Sequence, residues 1–435
     1  MSLSFAIVGS GPSGMYAADA LLKNFPNCKI DVFDKIPMPF GLIRYGVAPD
    51  HFKTKNTARQ FLRTLELDQV RYLGNIEIGR DISVNELEEH YNAVIFAIGA
   101  YNDRKLGIPG EKLPGVYGAC AFVGWYNAHP DFRDINPILD GANAAVIGIG
   151  NVALDVCRVL TKTRLEMKGS DIAASALDII QNMPIEAVHM FGRRGPVEAG
   201  FTPKELGEVR NLERCSAIVA YNQLPVSVEG NFEGREKGIK EKNLSILREL
   251  SNQDKPEKPV KMHFQFYASP VEILGTTRVE GIRLERTVVN NGKAISTGET
   301  FDVPCCSVIT AIGYQTKPPE GLPLDGVTID NIDGWVRDNL YVVGWAKRGS
   351  SGTIPTNGPD SRNVIDLLSE NLNKNGSHTP KPGGKATDKL LSTRDVRVIS
   401  INDVEKIKDA ETANAAVDHP WEKFTSIKDM LAVVD

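Results

Sequence analysis

FAIVGSGPSGMYAADALLK, residues 5–23, runs from an apolar stretch through Gly9, Gly11 and Gly14 into an amphipathic one. The spacing is G-x-G-x-x-G between a strand and a helix, and each glycine answers a steric demand. Gly9 permits the tight turn, Gly11 lets backbone approach a pyrophosphate, and Gly14 allows the helix to pack closely on the strand. Phosphates would then lie on exposed N–H groups at the helix start. The next apolar run, KIDVFD, ends in Asp34, twenty residues after Gly14. A carboxylate there can accept hydrogen bonds from a ribose, so strand, helix and acid together predict a dinucleotide-binding unit.

The pattern recurs. AAVIGIGNVALDVCRVL, residues 144–160, carries Gly148, Gly150 and Ala153 as G-x-G-x-x-A, an allowed variant. The apolar run EAVHMF that follows ends in Gly192, Arg193, Arg194 and Gly195 instead of a carboxylate. Two guanidinium groups at a strand end suit the 2′-phosphate of NADPH, since each can form charge-assisted, often bidentate bonds. Each such bond contributes about 1.5–3 kcal/mol, or on the order of ten- to a hundredfold in preference over NADH. Forty residues separate Ala153 from Arg193, twice the usual interval, which points to an insertion around TKTRLEMKGSDIAASALDIIQNMP. Asn151 can add a side-chain contact to the pyrophosphate; Asp155, one turn into the helix, reads equally well as structural.

Two shorter apolar runs, NAVIFAIGA ending at Ala100 and SVITAIGY ending at Tyr314, bracket the second unit as matching crossover points. The expected fold is therefore α/β, with two Rossmann-like three-layer domains, the second inserted into the first. The boundaries are residues 1–103 and 319–435 for the outer domain and 104–318 for the insert. The polar segment beyond Gly376 reads as a surface wrap. At 435 residues the chain is too long for one ordinary core, and 42% hydrophobic and 24% charged residues describe a globular protein. No apolar stretch approaches the ~18 residues that span a bilayer, so no membrane span is expected. A net charge of −5 gives no overall attraction to nucleic acid. The strand-like run from Phe5 leaves no room for a leader, which suggests a cytoplasmic chain or an already processed one. Six cysteines without a C-x-x-C pair argue against a disulfide framework and a cysteine-ligated metal, and adjacent Cys305 and Cys306 read as strand residues.

AIVGSGPSG, PFGLIRYGVAPDH, FVGWYNAHP, GNVALDV, GRRGPVEAGFTPKEL and VVGWAKRGSSGTIPTN occur in this order, followed by weaker matches at DVRVIS and WEKFTSIKDML. In these stretches the chain resembles the adrenodoxin reductase family of ferredoxin–NADP⁺ reductases over nearly its whole length. The resemblance implies FAD on the first loop, marked by Asp34, and NADPH on the second, marked by Arg193 and Arg194. Electrons would pass singly to an acidic [2Fe-2S] ferredoxin that feeds a cytochrome P450 or iron–sulfur assembly. It further implies FAD contacts at Ser13, Asp34, Leu42, Ile78, Trp345, Gly352, Thr353 and Ile354. NADPH contacts are implied at Ile149, Gly150, Asn151, Val152, Arg193, Arg194 and Glu205. His51 would lie near the flavin edge and share a hydrogen bond with Glu205, the two positioning the carboxamide, excluding water or buffering a flavin proton. Ferredoxin docking would fall to Lys204, Arg210, Arg214, Arg235, Lys237 and Lys240, although Gly207 stands where relatives often carry arginine. The implied form is a monomer, in the cytoplasm or, for a processed chain, the mitochondrial matrix. A flavoprotein subunit of the glutamate synthase small-subunit type lacks support, because no cysteine-rich segment precedes the first loop. A non-catalytic sensor that binds FAD and NADPH stays open on the motifs alone.

Overall fold

The computed structural model describes residues 2–230, 232–251, 258–374 and 379–435. The chain divides into two compact units: Met1–Asn102 with Asn127–Pro130 and Tyr314–Asp435, and Asp103–Tyr126 with Asp131–Gly313. The insert thus ends at Gly313 and not at 318, and four of its expected residues join the first unit. Their side chains explain this: Asn127 Oδ1 accepts from the Lys55 ammonium at 3.0 Å, and the His129 ring lies 5.0 Å from that of Tyr45.

The first unit is built on a six-stranded sheet in the order Trp335–Arg337, Leu340–Val342, Ala93–Phe96, Ser4–Val8, Lys29–Phe33, Val70–Leu73. Every neighbour pair is parallel except Trp335–Arg337 against Leu340–Val342. Successive strand side chains point to opposite faces, and here both faces are dry. Phe5, Ile7, Ile30, Val32, Ala93, Ile95 and Tyr341 face one core; Ala6, Val8, Phe33, Val94, Phe96 and Val342 face the other. That double burial is why these strands read as unbroken apolar runs. Asp31 breaks one run and is buried; the guanidinium of Arg71 and the Tyr91 hydroxyl, 2.6 Å away, satisfy it.

The tail is not the surface wrap that its polarity suggests; its start at Gly376 lies outside the described residues. Helices Gly384–Thr393, Ile401–Ala413 and Ile427–Ala432 deliver Leu391, Val404, Ile407 and Met430 to the two cores, and Ile399 joins them from the link between the first two helices, where it bridges to Gly74. Each side chain so buried contributes about 1.5–3 kcal/mol. The tail also carries Glu411, buried and bonded to the Arg44 guanidinium at 2.5 and 2.7 Å. Sparse apolar positions at helical spacing bury deeply while the mean composition stays polar.

The second unit has a wholly parallel sheet in the order Val116–Gly118, Ser307–Thr310, Asn143–Ile147, Ala187–Phe191, Val260–Gln265, Cys215–Val219. A three-stranded antiparallel sheet, Ala268–Leu274, Gly281–Asn290 and Lys293–Pro304, is added to it in sequence. Its second hairpin turns on Asn291-Gly292, both at positive φ, as a tight two-residue turn requires. Helix Ala174–Asn182 lies within the segment that lengthens the interval between Ala153 and Arg193. Cys305 and Cys306 are not strand residues: they form the link between Lys293–Pro304 and Ser307–Thr310, where Cys306 N donates to the Asn143 carbonyl at 3.0 Å. No two cysteines are joined among the described residues.

Candidate functional site

Each glycine loop follows a central strand whose two neighbours continue in opposite directions along the sheet. This is the switch point at which open α/β sheets bind ligands. In the first unit, Gly9 N donates to the Phe33 carbonyl at 2.8 Å, which ties the turn to the second strand. Gly9 has φ +109°, and a Cβ there would lie 2.5 Å from the Ala97 carbonyl oxygen. A Cβ on Gly14 would fall 2.0 Å from the Gly9 carbonyl oxygen, so the helix sits directly on the turn. Gly11 differs, because a Cβ there would meet no atom within 4 Å. It is the N-cap of helix Pro12–Asn24, whose first intrahelical bond runs from Met15 N to the Gly11 carbonyl at 3.0 Å. The N–H groups of Ser13 and Gly14 precede that bond, which leaves two donors in the helix's positive end.

Asp34 braces this loop as well as standing at its rim. One carboxylate oxygen accepts from Ser10 N at 3.1 Å and from the Ser10 hydroxyl at 2.5 Å, and the other accepts from Ile36 N at 3.1 Å. A carboxylate has about four lone-pair sites, so one is left for a ribose hydroxyl. Burial raises the Asp34 pKa, and the bonds from Ser10 and Ile36 oppose that rise. The Ser10 hydroxyl in turn accepts from Phe40 N at 3.1 Å. Phe40 has φ +83°, uncommon for a residue with a Cβ and costing about 1–3 kcal/mol. The strained turn brings Gly41 against Gly11, 3.4 Å from where a Gly41 Cβ would lie, and starts the short helix Leu42–Tyr45. Leu42 is half-buried there, and Ile78, also half-buried, bridges to Ile82 and packs on the second core face.

The other expected flavin contacts lie on one turn. The Trp345 indole N–H donates to the Ser351 carbonyl at 2.9 Å, and its ring is 5.9 Å from that of Tyr314. Gly352 and Thr353 are exposed just ahead of helix Asn357–Lys374. The Thr353 N–H is taken by the Thr356 hydroxyl at 3.0 Å. It holds the turn and leaves Gly352 and Ile354 to present backbone. Gly344 packs on the first loop: a Cβ there would sit 2.0 Å from the Ser13 hydroxyl oxygen. Its N–H is anchored by Asp360 at 2.7 Å. Nearby, Arg348 donates from Nη2 to Asn357 Oδ1 at 2.9 Å while its buried Nη1 has no partner among the described residues. An orphaned cationic donor, two open helix N–H groups and a partly engaged carboxylate make a donor and acceptor set that fits a dinucleotide such as FAD.

The second loop repeats the construction. Gly148 N donates to the Phe191 carbonyl at 2.9 Å, and a Cβ on Gly148 would lie 2.3 Å from the Ala311 carbonyl oxygen. Above Gly150 the space is open. Gly150 caps helix Asn151–Thr161, and Ala153 is buried where the first loop has Gly14. The Asn151 side chain accepts from Thr202 N at 2.8 Å, and the Ile149 carbonyl accepts from Gly200 N at 2.7 Å. These bonds hold residues 200–202 beside the loop, so Asn151 works as a brace. Asp155 is structural: with Glu208 it pairs the buried Arg158 at 2.8 and 3.0 Å.

Arg193 is exposed and Arg194 half-exposed at the end of strand Ala187–Phe191. Their backbones are fixed, the Arg193 carbonyl by the Thr287 hydroxyl at 2.7 Å and the Arg194 carbonyl by Tyr267 N at 3.1 Å. Glu198 closes the turn by accepting from Gly195 N at 2.9 Å. Fixed backbone beneath solvent-facing cationic heads is what a phosphate clamp needs. Glu205 is half-buried on helix Pro203–Glu208, where its N–H is capped by the Thr202 hydroxyl at 3.4 Å. In the first unit, half-buried His51 caps the four-residue helix Phe52–Lys55. Of the docking cations, Arg214 is withdrawn, because its guanidinium caps the carbonyls of Thr161 and Lys162 at 2.9 and 3.3 Å. Arg210 and Lys237 sit beside Glu249 and Glu241, and Lys204 lies 4.0 Å from Glu205.

The family described as "Pyridine nucleotide-disulphide oxidoreductase" matches residues 3–187, which include both glycine loops. The chain is 37% identical to NADPH:adrenodoxin oxidoreductase, mitochondrial, of Arabidopsis thaliana, over 99% of this chain and 95% of the relative. It is 42% identical to NADPH-ferredoxin reductase FprA of Mycobacterium leprae, over 88% and 87%. Among solved structures, Mycobacterium tuberculosis FprA in complex with NADPH superposes with a TM-score of 0.94 at 37% identity, covering 100% of both chains. No helix among the described residues is long and apolar enough to cross a membrane.

Proposed function

The chain belongs to the adrenodoxin reductase family of NADPH–ferredoxin reductases, and from that premise we propose that it carries electrons from NADPH through FAD to an acidic [2Fe-2S] ferredoxin. The observation that supports this most is the pair of glycine turns, each with open space over its second glycine, followed by Asp34 in one unit and by Arg193 and Arg194 in the other. FAD, when bound, supplies the redox chemistry, accepting hydride and releasing electrons singly.

The residues of this chain bind and orient. The Ser13 and Gly14 N–H groups and Arg348 hold the flavin nucleotide's pyrophosphate, and Asp34 takes its ribose. Leu42, Trp345 and the Gly352–Ile354 turn wall the ring, with N–H dipoles placed where negative charge accumulates on reduction. Asn151 and Val152 open the second helix to the NADPH pyrophosphate, and Arg193 and Arg194 take its 2′-phosphate. His51 and Glu205 orient the nicotinamide carboxamide and exclude water. Exposed Arg210, Arg235 and Lys237 supply a local basic face for the acidic partner despite the overall negative charge. The chain works as a monomer, in the cytoplasm or the mitochondrial matrix.

NADPH-driven reduction of a [2Fe-2S] ferredoxin, read through a cytochrome, tests the proposal. The protein should purify yellow and bleach under NADPH without oxygen. A protein that cannot be reconstituted with FAD would overturn it, and one that bleaches but never reduces a ferredoxin would favour the sensor reading.

A further inference from the structure

Helix Gly234–Leu250 buries Asn243, Leu244, Ile246, Leu247 and Leu250. Extended toward the N-terminus at helical spacing, that stripe reaches Lys240, where a core residue would be expected. Lys240 and Asn243 instead reach two carbonyls of one loop. The Lys240 ammonium donates to the Ala199 carbonyl at 3.2 Å, and Asn243 Nδ2 donates to the Phe201 carbonyl at 2.8 Å. Between those two residues, Gly200 N is bonded to the Ile149 carbonyl of the second glycine loop. The helix therefore buttresses the segment that joins the Arg193-Arg194 turn to the nucleotide loop.

We propose that Lys240 is a third cation of the 2′-phosphate subsite, selecting NADPH together with Arg193 and Arg194. The inference rests on the reading of the second loop as the NADPH site. Of the three donors on an ammonium, one goes to Ala199, and the Phe232 ring covers another side at 5.2 Å from its centroid. The remaining donor capacity belongs to a half-buried charge docked from the helix onto the segment that follows the turn Glu198 closes onto Gly195. Burial lowers the Lys240 pKa, Glu236 and Glu198 hold it up, and Arg194 lowers it further. Arg194 thus acts on Lys240 as a like charge within electrostatic range, and a dianionic phosphate between them would convert that repulsion into shared attraction. An ion pair with the helix's own glutamates would not explain why the side chain is docked on the Ala199 carbonyl.

Calorimetric titration of adenosine 2′,5′-bisphosphate and of 5′-AMP, which lacks only the 2′-phosphate, tests the role on the intact flavoprotein. Lys240→Gln keeps a donor for Ala199 and removes the charge; Lys240→Arg keeps the charge; Lys242→Gln removes an exposed charge from the same helix. The preference for the bisphosphate should fall about tenfold in K240Q and persist in K240R and K242Q. The KM for NADPH should rise in K240Q with the KM for NADH unchanged. An intact preference in K240Q, or equal weakening of both ligands, overturns the proposal. A wild-type protein without any preference overturns the NADPH reading itself, and the proposal with it.

Discussion

Replacing Gly11 with alanine separates binding from folding. The backbone at Gly11, φ −69° and ψ −178°, suits any residue, and the new methyl would meet no protein atom within 4 Å. Loss of a favourable N-cap residue costs about 1 kcal/mol, and the less flexible unfolded chain offsets about 0.4–1 kcal/mol of that. The apoprotein should melt almost as wild type does. The methyl nevertheless fills the space through which a pyrophosphate must approach Ser13 N and Gly14 N. Losing two charge-assisted bonds of about 1.5–3 kcal/mol each weakens FAD by roughly a hundredfold to over ten-thousandfold. Gly14→Ala is the contrast, because its Cβ lands 2.0 Å from the Gly9 carbonyl oxygen and the fold itself must yield. Thermal melts of apoprotein and FAD fluorescence-quenching titrations read the two effects. If Gly11→Ala bound FAD within about threefold of wild type, or if its apoprotein melted as low as Gly14→Ala, the assignment of that space would be wrong. Gly150→Ala repeats the experiment in the other unit, and should keep flavin while losing NADP⁺.

Replacing Arg193 and Arg194 with alanine should raise the KM for NADPH roughly ten- to a hundredfold and leave NADH use nearly unchanged; equal losses for both nucleotides in steady-state assays would refute the clamp. Glu411→Ala leaves the Arg44 guanidinium buried beside an empty position, which should cost about 3–5 kcal/mol in urea unfolding. His189 packs face to face on His263, with centroids 4.8 Å apart, and burial pushes its pKa down to about 4 from 6.5. Since the fold keeps it neutral, its contribution is present above pH 6.5 and is lost as pH falls toward 4. The loss between pH 7 and pH 5 should be about 2 kcal/mol, and a His189→Phe variant should show a correspondingly flatter pH–stability profile.

Strands buried on both faces are legible because a polar residue there needs buried partners, as Asp31 has in Arg71 and Tyr91, and glycine turns because backbone collisions admit no substitute at Gly9 or Gly14. The tail hides its packing for the opposite reason. Ile399, Val404, Ile407 and Met430 are few and widely spaced, so their burial depends on a surface that the first 100 residues build. Braces were equally hidden. Ser10 looks like loop filler until its hydroxyl is seen to join Asp34 to Phe40, and Asp360 until it anchors Gly344 N. One local signal is the Pro-Phe-Gly turn, where the structure holds a bulky residue at positive φ against an external restraint. Lys240 carries a comparable signal, a lysine on the buried stripe of an amphipathic helix.

On the proposed assignment of the two loops, one construction yields two specificities. Both turns are tied to the next strand along the chain, Gly9 to Phe33 and Gly148 to Phe191, so whatever follows that strand stands at the rim of the proposed nucleotide site. In the first unit the next residue is Asp34, and three of its acceptor sites hold the loop's own Ser10 and Ile36. A phosphate at that rim would face a carboxylate fixed in place and a ribose position already defined. In the second unit the position after the strand is Gly192, where a Cβ would collide with the Ile149 side chain at 2.6 Å. No side chain can brace the loop from there, and the work passes to Gly200 and Asn151. Removing the carboxylate and transferring its bracing role are therefore one structural change, and that change leaves Arg193 and Arg194 able to meet an anion.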